Sequence, residues 1–293
     1  MKRKPVYNYR AYLGYKSWQK TLIVFAVFTF IYLSLDIRVP IWDIFTASTV
    51  FFSIIFGFFL SSALSNLSRL KTLVASECGI LIAFHDFISI VNRELKEEVA
   101  NLIDKYIIAR FDWELENYVE NTEKEFSDIF DVLESKKIDP KNDRTKSAIN
   151  YCFNSEISLS QIRQEISIVS KSALNNFYWT LLVLLGGIVI LTLFLSIEKT
   201  VTGKITGILL STAIAVAFLI LDDVDRNKIN EHIMAFETYN RVLTAIGKLP
   251  CYLQIDIKAK RVKPPKDKPY RLIVYKDFPY SFEKEILVVN PKV

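Results

Sequence analysis

Residues 44–68 read IFTASTVFFSIIFGFFLSSALSNLS, a stretch without a single charged side chain. An α-helix of about 20 apolar residues crosses the hydrocarbon core of a bilayer. The stretch is rich in Phe and β-branched residues, and it contains one glycine, Gly57. It therefore predicts either a helix that lies in lipid or a helix that lines a space from which water is excluded.

Three further apolar runs flank this stretch, at residues 21–35, 172–197 and 205–221. The run at 172–197 has full spanning length, and the other two are short enough to need flanking Lys or Trp side chains that reach the interface. Hydrophobic residues make up 51% of the chain, which is more than an ordinary soluble domain carries. The sequence therefore predicts four transmembrane helices.

The basic residues predict the orientation of these helices. The N-terminal arm carries six of them: Lys2, Arg3, Lys4, Arg10, Lys16 and Lys20. The loop between the first two runs has only Arg38, and the loop between the last two has Lys199 and Lys204. Because basic residues concentrate in cytoplasmic loops, we expect a multi-pass protein of the cell membrane with both termini in the cytoplasm.

The predicted fold class is an all-α membrane protein: four transmembrane helices with a cytosolic helical bundle and a small C-terminal β appendage. Alternating apolar residues at 253–259 predict a strand in that appendage. The expected segments are a basic cytosolic arm (1–20), transmembrane helices 1 and 2 (21–68), a cytosolic helical insert (69–171), transmembrane helices 3 and 4 (172–221), a cytosolic helix (222–250) and a β-rich tail (251–293).

Residues of the types used in catalysis are sparse. The two histidines are His85 and His232, and His85 follows Glu77 by eight positions, so the two can share a helix face. No nucleophile motif, phosphate-binding loop or metal-ligand spacing accompanies them. An interior structural histidine explains this pattern better, and we predict that the protein is not an enzyme. The aromatic residues of the basic arm fit a membrane interface rather than a nucleic acid.

An acidic group follows the last apolar run at Asp222, Asp223 and Asp225. Carboxylates at a helix C-terminus oppose the helix dipole and favour a nearby cation. Two interpretations remain open: a Ca²⁺ site, since Ca²⁺ prefers several oxygen ligands, or a solvated helix end paired with Lys and Arg. No other cofactor is indicated.

The spacing of Val50, Ile54, Gly57 and Phe58 resembles a motif of the bestrophin family of ion channels. That family carries a hydrophobic neck, roughly I-x-x-x-[IF]-x-x-G-F, in its second membrane helix, and the sister bestrophin-like domain family matches about as well. The order of segments from residue 15 to residue 225 is similar too. This chain departs from the better-known bestrophins after the last span, where residues 221–227 read LDDVDRN and lack an Asn-Pro-Phe-Gly stretch.

The resemblance implies a homo-oligomer, with the pentamer as the expected form, whose second helices surround a pore. The permeant ion it implies is chloride, and the implied gate is a dewetting neck formed by Val50, Ile54, Gly57 and Phe58. The alternative is a membrane-anchored sensor or scaffold whose cytosolic helices bind a partner without conducting ions.

Overall fold

The computed structural model describes residues 17–34, 41–135, 142–171, 174–198, 200–225, 231–260, 262–277, 281 and 283–290. The helices are α1 (Ser17–Ser34), α2 (Trp42–Val91), α3 (Leu95–Arg110), α4 (Tyr118–Asn121), α5 (Glu123–Ser135), α6 (Asp143–Val169), α7 (Asn176–Ser196), α8 (Val201–Asp225), α9 (Glu231–Ala245) and α10 (Gln254–Lys258). The strands are β1 (Cys251–Leu253), β2 (Tyr270–Tyr275) and β3 (Lys284–Val289). The protein is therefore mostly helical with a small sheet, as its sequence predicts. Most of the basic arm (1–20) lies outside the described residues.

The described residues form two compact units. The span unit contains residues 17–68 and 174–225, and the insert unit contains residues 69–171 and 231–290. Among the described residues, three helices, α2, α7 and α8, are long and apolar enough to cross a membrane. This finding supports a membrane protein, and the count of four spans stays a prediction.

In the span unit, α1 packs along α8, and α7 approaches α8 closely. Gly186 of α7 permits this approach, because a Cβ at that position would lie 2.5 Å from a ring carbon of Phe218 on α8. The Phe218 ring in turn contacts the rings of Phe52 and Phe56 on α2. Aromatic packing on a small residue thus joins these three helices.

Helix α2 is continuous for 50 residues, from the predicted span into the predicted insert. Residues 58–78 contain neither Gly nor Pro, so the backbone has no residue that favours a break. In the insert unit, the α2 residues Leu81, Phe84 and Ile88 are fully buried, with Ile103 of α3 and Ile129 of α5 in the same core. One helix therefore contributes to both units.

Helix α9 ends where a glycine supplies the backbone conformation that a helix end requires. Gly247 has φ +81°, a value that L side chains rarely adopt. The next amide, that of Lys248, donates a 2.8 Å hydrogen bond to the carbonyl of Leu243. This bond satisfies a carbonyl of the last turn of the helix.

The sheet has the order β1-β2-β3, with β1 parallel to β2 and β2 antiparallel to β3. Strand β1 pairs with β2 only as far as Leu253, and helix α10 begins at the next residue. The strand predicted from the alternation at 253–259 is therefore wrong beyond Leu253. Leu253 and Asp256 are both buried, which is a spacing of three that a helical turn places on one side. Four alternating residues are too few to distinguish the period of two in a strand from the period of about 3.6 in a helix.

Two partly buried ion pairs hold this sheet against α3 and the residues that follow it. Arg271 of β2 binds the carboxylate of Asp104 with two nitrogens, at 2.7 and 2.5 Å. Lys284 of β3 lies 2.7 Å from both oxygens of Asp112. The sheet is thus part of the insert unit and is fixed to its helical core.

Candidate pore-lining site

One side of α2 is packed against the other helices of the span unit. Phe52, Phe59 and Ala63 are buried on this side. Phe52 contacts Phe218 of α8, and Phe59 contacts Tyr178 of α7 with ring centroids 5.1 Å apart. These contacts define which face of the uncharged part of α2, residues 44–68, packs inside the span unit, a question that periodicity leaves open.

The predicted neck residues lie on the other side of α2. Val50, Ile54 and Phe58, which we call the neck stripe, are 54%, 67% and 69% exposed. At about 100° per residue they form a stripe roughly opposite the side occupied by Phe52 and Phe59. The structure thus brings the three predicted residues together on a face of α2 that the described part of the chain leaves uncovered.

Gly57 lies beside the neck stripe and is also exposed. A Cβ built on Gly57 would meet no described atom within 4 Å. Packing within the described part of the chain therefore does not require a glycine here. Any requirement for the missing side chain must come from a neighbouring copy, from the bilayer or from a bend in the helix.

The hydroxyl groups around the neck stripe are satisfied by their own helix. Thr46, Thr49 and Ser53 each donate a hydrogen bond to the carbonyl oxygen four residues earlier, at 2.9, 2.8 and 2.7 Å. Such bonds let a hydroxyl residue lie in an apolar environment without losing a hydrogen bond. These hydrogen bonds are therefore compatible with a water-free pore and with a surface that faces lipid.

The three acidic residues after the last span have different surroundings. Asp225 is buried, and its two oxygens accept hydrogen bonds from the Leu174 amide at 2.9 Å and from the Trp179 indole at 3.0 Å. Asp222 and Asp223 are half-buried. Sequence reasoning missed the partners of Asp225, because they lie 46 and 51 residues away.

This arrangement does not fit the suggested Ca²⁺ site. Within the described ranges, no group of three or more His, Cys, Asp or Glu side chains is placed to hold a metal ion. The bonds of Asp225 to Trp179 of α7 and to the Leu174 amide just before that helix assign the carboxylate a structural role. Ca²⁺ binding by Asp222, Asp223 and Asp225 therefore stays a prediction.

Glu77 and His85 do not form a pair. Glu77 is fully buried and accepts hydrogen bonds from the hydroxyls of three tyrosines: Tyr106 at 2.5 Å, Tyr239 at 2.5 Å and Tyr118 at 3.4 Å. His85 is buried too, and it lies 3.7 Å from the carboxylate of its neighbour Asp86. Burial lowers the pKa of His85, so its neutral form is favoured.

The three cysteines are free thiols, and all are buried. Burial raises the pKa of Cys152 to about 12. It also raises the pKa of Cys251 to about 12. Because the thiolate is the reactive form of cysteine, burial holds these two side chains in the less reactive thiol form.

Together, the long apolar helices and the helical insert define a helical membrane protein. A family model for the Bestrophin-like domain matches residues 44–226, more than half of the chain. The chain therefore belongs to the bestrophin-like family.

A similar fold occurs in a solved structure at low sequence identity. A crystal structure of a membrane protein variant is 11% identical, with a TM-score of 0.52, and the match covers 82% of this chain and 98% of that one. A bacterial bestrophin homologue from Klebsiella pneumoniae is 9% identical, with a TM-score of 0.48, and the match covers 80% of this chain and 98% of that one. No curated protein sequence matches this chain.

Proposed function

We propose that the protein is a homo-oligomeric ion channel of the cell membrane, assembled as a pentamer around a pore lined by α2. Its membership of the bestrophin-like family supports the channel function. The observation that carries the proposal is the neck stripe: three large apolar side chains lie exposed on α2, opposite the side that packs onto α7 and α8. Four spans, with both termini in the cytoplasm, complete the proposed topology.

The neck stripe would act as a gate through the poor wetting of apolar surfaces. Val50, Ile54 and Phe58 are each four residues apart, so they rise about 6 Å per step along the axis. Five copies around one axis would form three stacked apolar rings. A narrow constriction lined with hydrocarbon holds little water. An ion would have to give up its hydration shell to enter such a constriction, so it is excluded.

Opening requires only that the neck become wider or less apolar. A small outward rotation of α2 moves the stripe away from the axis and lets water fill the passage. Chloride is the permeant ion that the resemblance predicts, and it is the first ion to measure.

The test uses the purified protein in detergent and in planar bilayers. We expect a pentameric mass and a measurable current. Replacing both neck residues, Ile54→Ala with Phe58→Ala, removes apolar bulk, so the double variant should show a larger conductance or a higher open probability. The matched control is Leu209→Ala on α8, a leucine that is 56% exposed in the same unit but does not lie on α2.

A monomer in detergent would contradict the proposal, because one subunit cannot surround a pore. So would a current that the double neck variant leaves unchanged. A stable oligomer without any current would favour a sensor or scaffold instead.

A further inference from the structure

Helix α2 carries one charged residue between positions 42 and 68, and that residue is Asp43. It lies in the first turn of the helix, and it is exposed. Ile54 follows Asp43 by eleven positions, which is three turns and about 20°, so both lie on one side of the helix about 16 Å apart along the axis. The only charge of this segment therefore shares the side of the neck stripe.

A carboxylate in the first turn of a helix has a simpler explanation, since it interacts favourably with the helix dipole. That explanation applies equally to any residue of the first turn. The neighbours of Asp43 lie on other sides of the helix. Phe45, two residues later, lies on the packed side of α2 and is half-buried against the ring of Trp42. The helix dipole explains why an acidic residue lies near the start of α2. It does not explain why Asp43 lies on the same side of the helix as the neck stripe.

We infer that Asp43 is a selectivity-determining residue, which forms a ring of carboxylates at one mouth of the pore and raises the permeability of cations relative to chloride. The inference rests on the proposed function, because it needs α2 to surround a common axis. In a pentamer, five carboxylates would lie on one level of the passage. A ring of acidic side chains raises the local concentration of cations and lowers that of anions.

The effect depends on ionic strength in a way that a structural role does not. At 0.15 M salt the screening length is about 8 Å, and at 1 M it is about 3 Å. The field of the Asp43 ring should therefore reach the centre of the mouth at low salt and be largely screened at high salt.

The experiment measures reversal potentials in a KCl gradient across planar bilayers that contain the intact oligomer. Asp43→Asn keeps the size and the hydrogen-bonding oxygen of the side chain but removes its charge. We expect the ratio of K⁺ to Cl⁻ permeability to fall about threefold or more in this variant, with a smaller change in 1 M salt. The matched control is Glu198→Gln, an exposed carboxylate between α7 and α8 that the sequence places on the same side of the membrane as Asp43.

Each outcome of this experiment decides a different point. A wild-type current whose permeability ratio is the same in Asp43→Asn overturns this inference and leaves the proposed channel intact. An equal change in Glu198→Gln also overturns it, because the effect then belongs to the whole surface charge. Absence of any wild-type current overturns the proposed function as well. Should the Asn variant not assemble, the salt dependence of the wild-type ratio decides, since a ratio that does not fall in 1 M salt contradicts a carboxylate ring.

Discussion

The hydroxyl of Tyr239 donates a 2.5 Å hydrogen bond to the carboxylate of Glu77, although the two residues are 162 positions apart. Tyr106 donates to the other oxygen of the same carboxylate, also at 2.5 Å. Arg110 joins the group, because its Nε donates to the Tyr239 hydroxyl at 3.0 Å. A buried polar cluster thus links α2, α3 and α9 in the insert unit.

Tyr239→Phe should destabilise the insert unit by about 1–3 kcal/mol, because Glu77 loses a donor and Arg110 loses an acceptor in a buried site. Denaturant unfolding of the detergent-solubilised protein measures the loss. Tyr270→Phe, at a half-buried position of β2, is the control, and its effect should stay within about 0.5 kcal/mol. If the two variants have the same free energy of unfolding, the Tyr239 hydroxyl contributes nothing to the stability of the insert unit.

Stability should also fall in alkaline solution. Burial raises the pKa of Tyr106 and of Tyr118 well above the ordinary value of 10.0, and the charge of Glu77 raises each further. An unfolded tyrosine ionises near pH 10, whereas these folded ones stay protonated. Their contribution is therefore fully present below pH 10 and is lost as the pH rises from there towards the folded-state pKa.

Above pH 10, each of these tyrosines should lower the free energy of unfolding by about 1.4 kcal/mol for every pH unit. Unfolding midpoints at a series of alkaline pH values give that slope. Tyr106→Phe should reduce it by the share of one residue, and an unchanged slope in that variant would contradict the assignment.

Asp225→Asn should loosen the start of α7. The amide that replaces one oxygen cannot accept the hydrogen bond of the Leu174 amide or of the Trp179 indole, so one donor is left unpaired at a cost of about 1–3 kcal/mol. Thermal unfolding, followed by tryptophan fluorescence, measures the effect. We expect the same loss with Ca²⁺ and with a chelator; a loss seen only when Ca²⁺ is present would instead support the metal site.

Two glycines of the spans should respond in opposite ways to substitution by alanine. Gly186→Ala places a methyl group against Phe218, so overpacking should cost about 1–3 kcal/mol. Gly57→Ala meets nothing within the described subunit and gains helix propensity, up to about 1 kcal/mol. Thermal unfolding of the two variants in the same detergent measures both changes, and a loss of equal size in both would contradict the packing assigned to Gly186.

The same Gly57→Ala variant tests the pore assignment. If copies of α2 gather around the neck stripe, the added methyl group should lower the single-channel conductance while the subunit remains folded. Gly187→Ala is the control, since a Cβ added to that glycine would also meet no described atom within 4 Å. Equal conductance in both variants would argue against α2 as the pore helix.

Long apolar runs allowed membrane-spanning helices to be predicted, because an uncharged stretch such as 44–68 has few stable environments other than a bilayer. The neck residues could be named from their spacing and the family resemblance. Short elements were less predictable. Helix α10 lies where a strand was predicted, because four alternating residues fit a strand and a short helix alike. The end of the pairing between β1 and β2 at Leu253 shows which of the two follows.

Composition and length, which are properties of the chain itself, showed that residues 44–68 of α2 carry no charge and are long enough to cross a bilayer. Tertiary structure alone decided which side of α2 packs on Phe218 and Tyr178, and which side leaves Val50, Ile54 and Phe58 uncovered. The partners of Glu77 and Asp225 also required the fold, because hydrogen bonds between residues far apart in the chain depend on helix packing and leave no local pattern in the sequence.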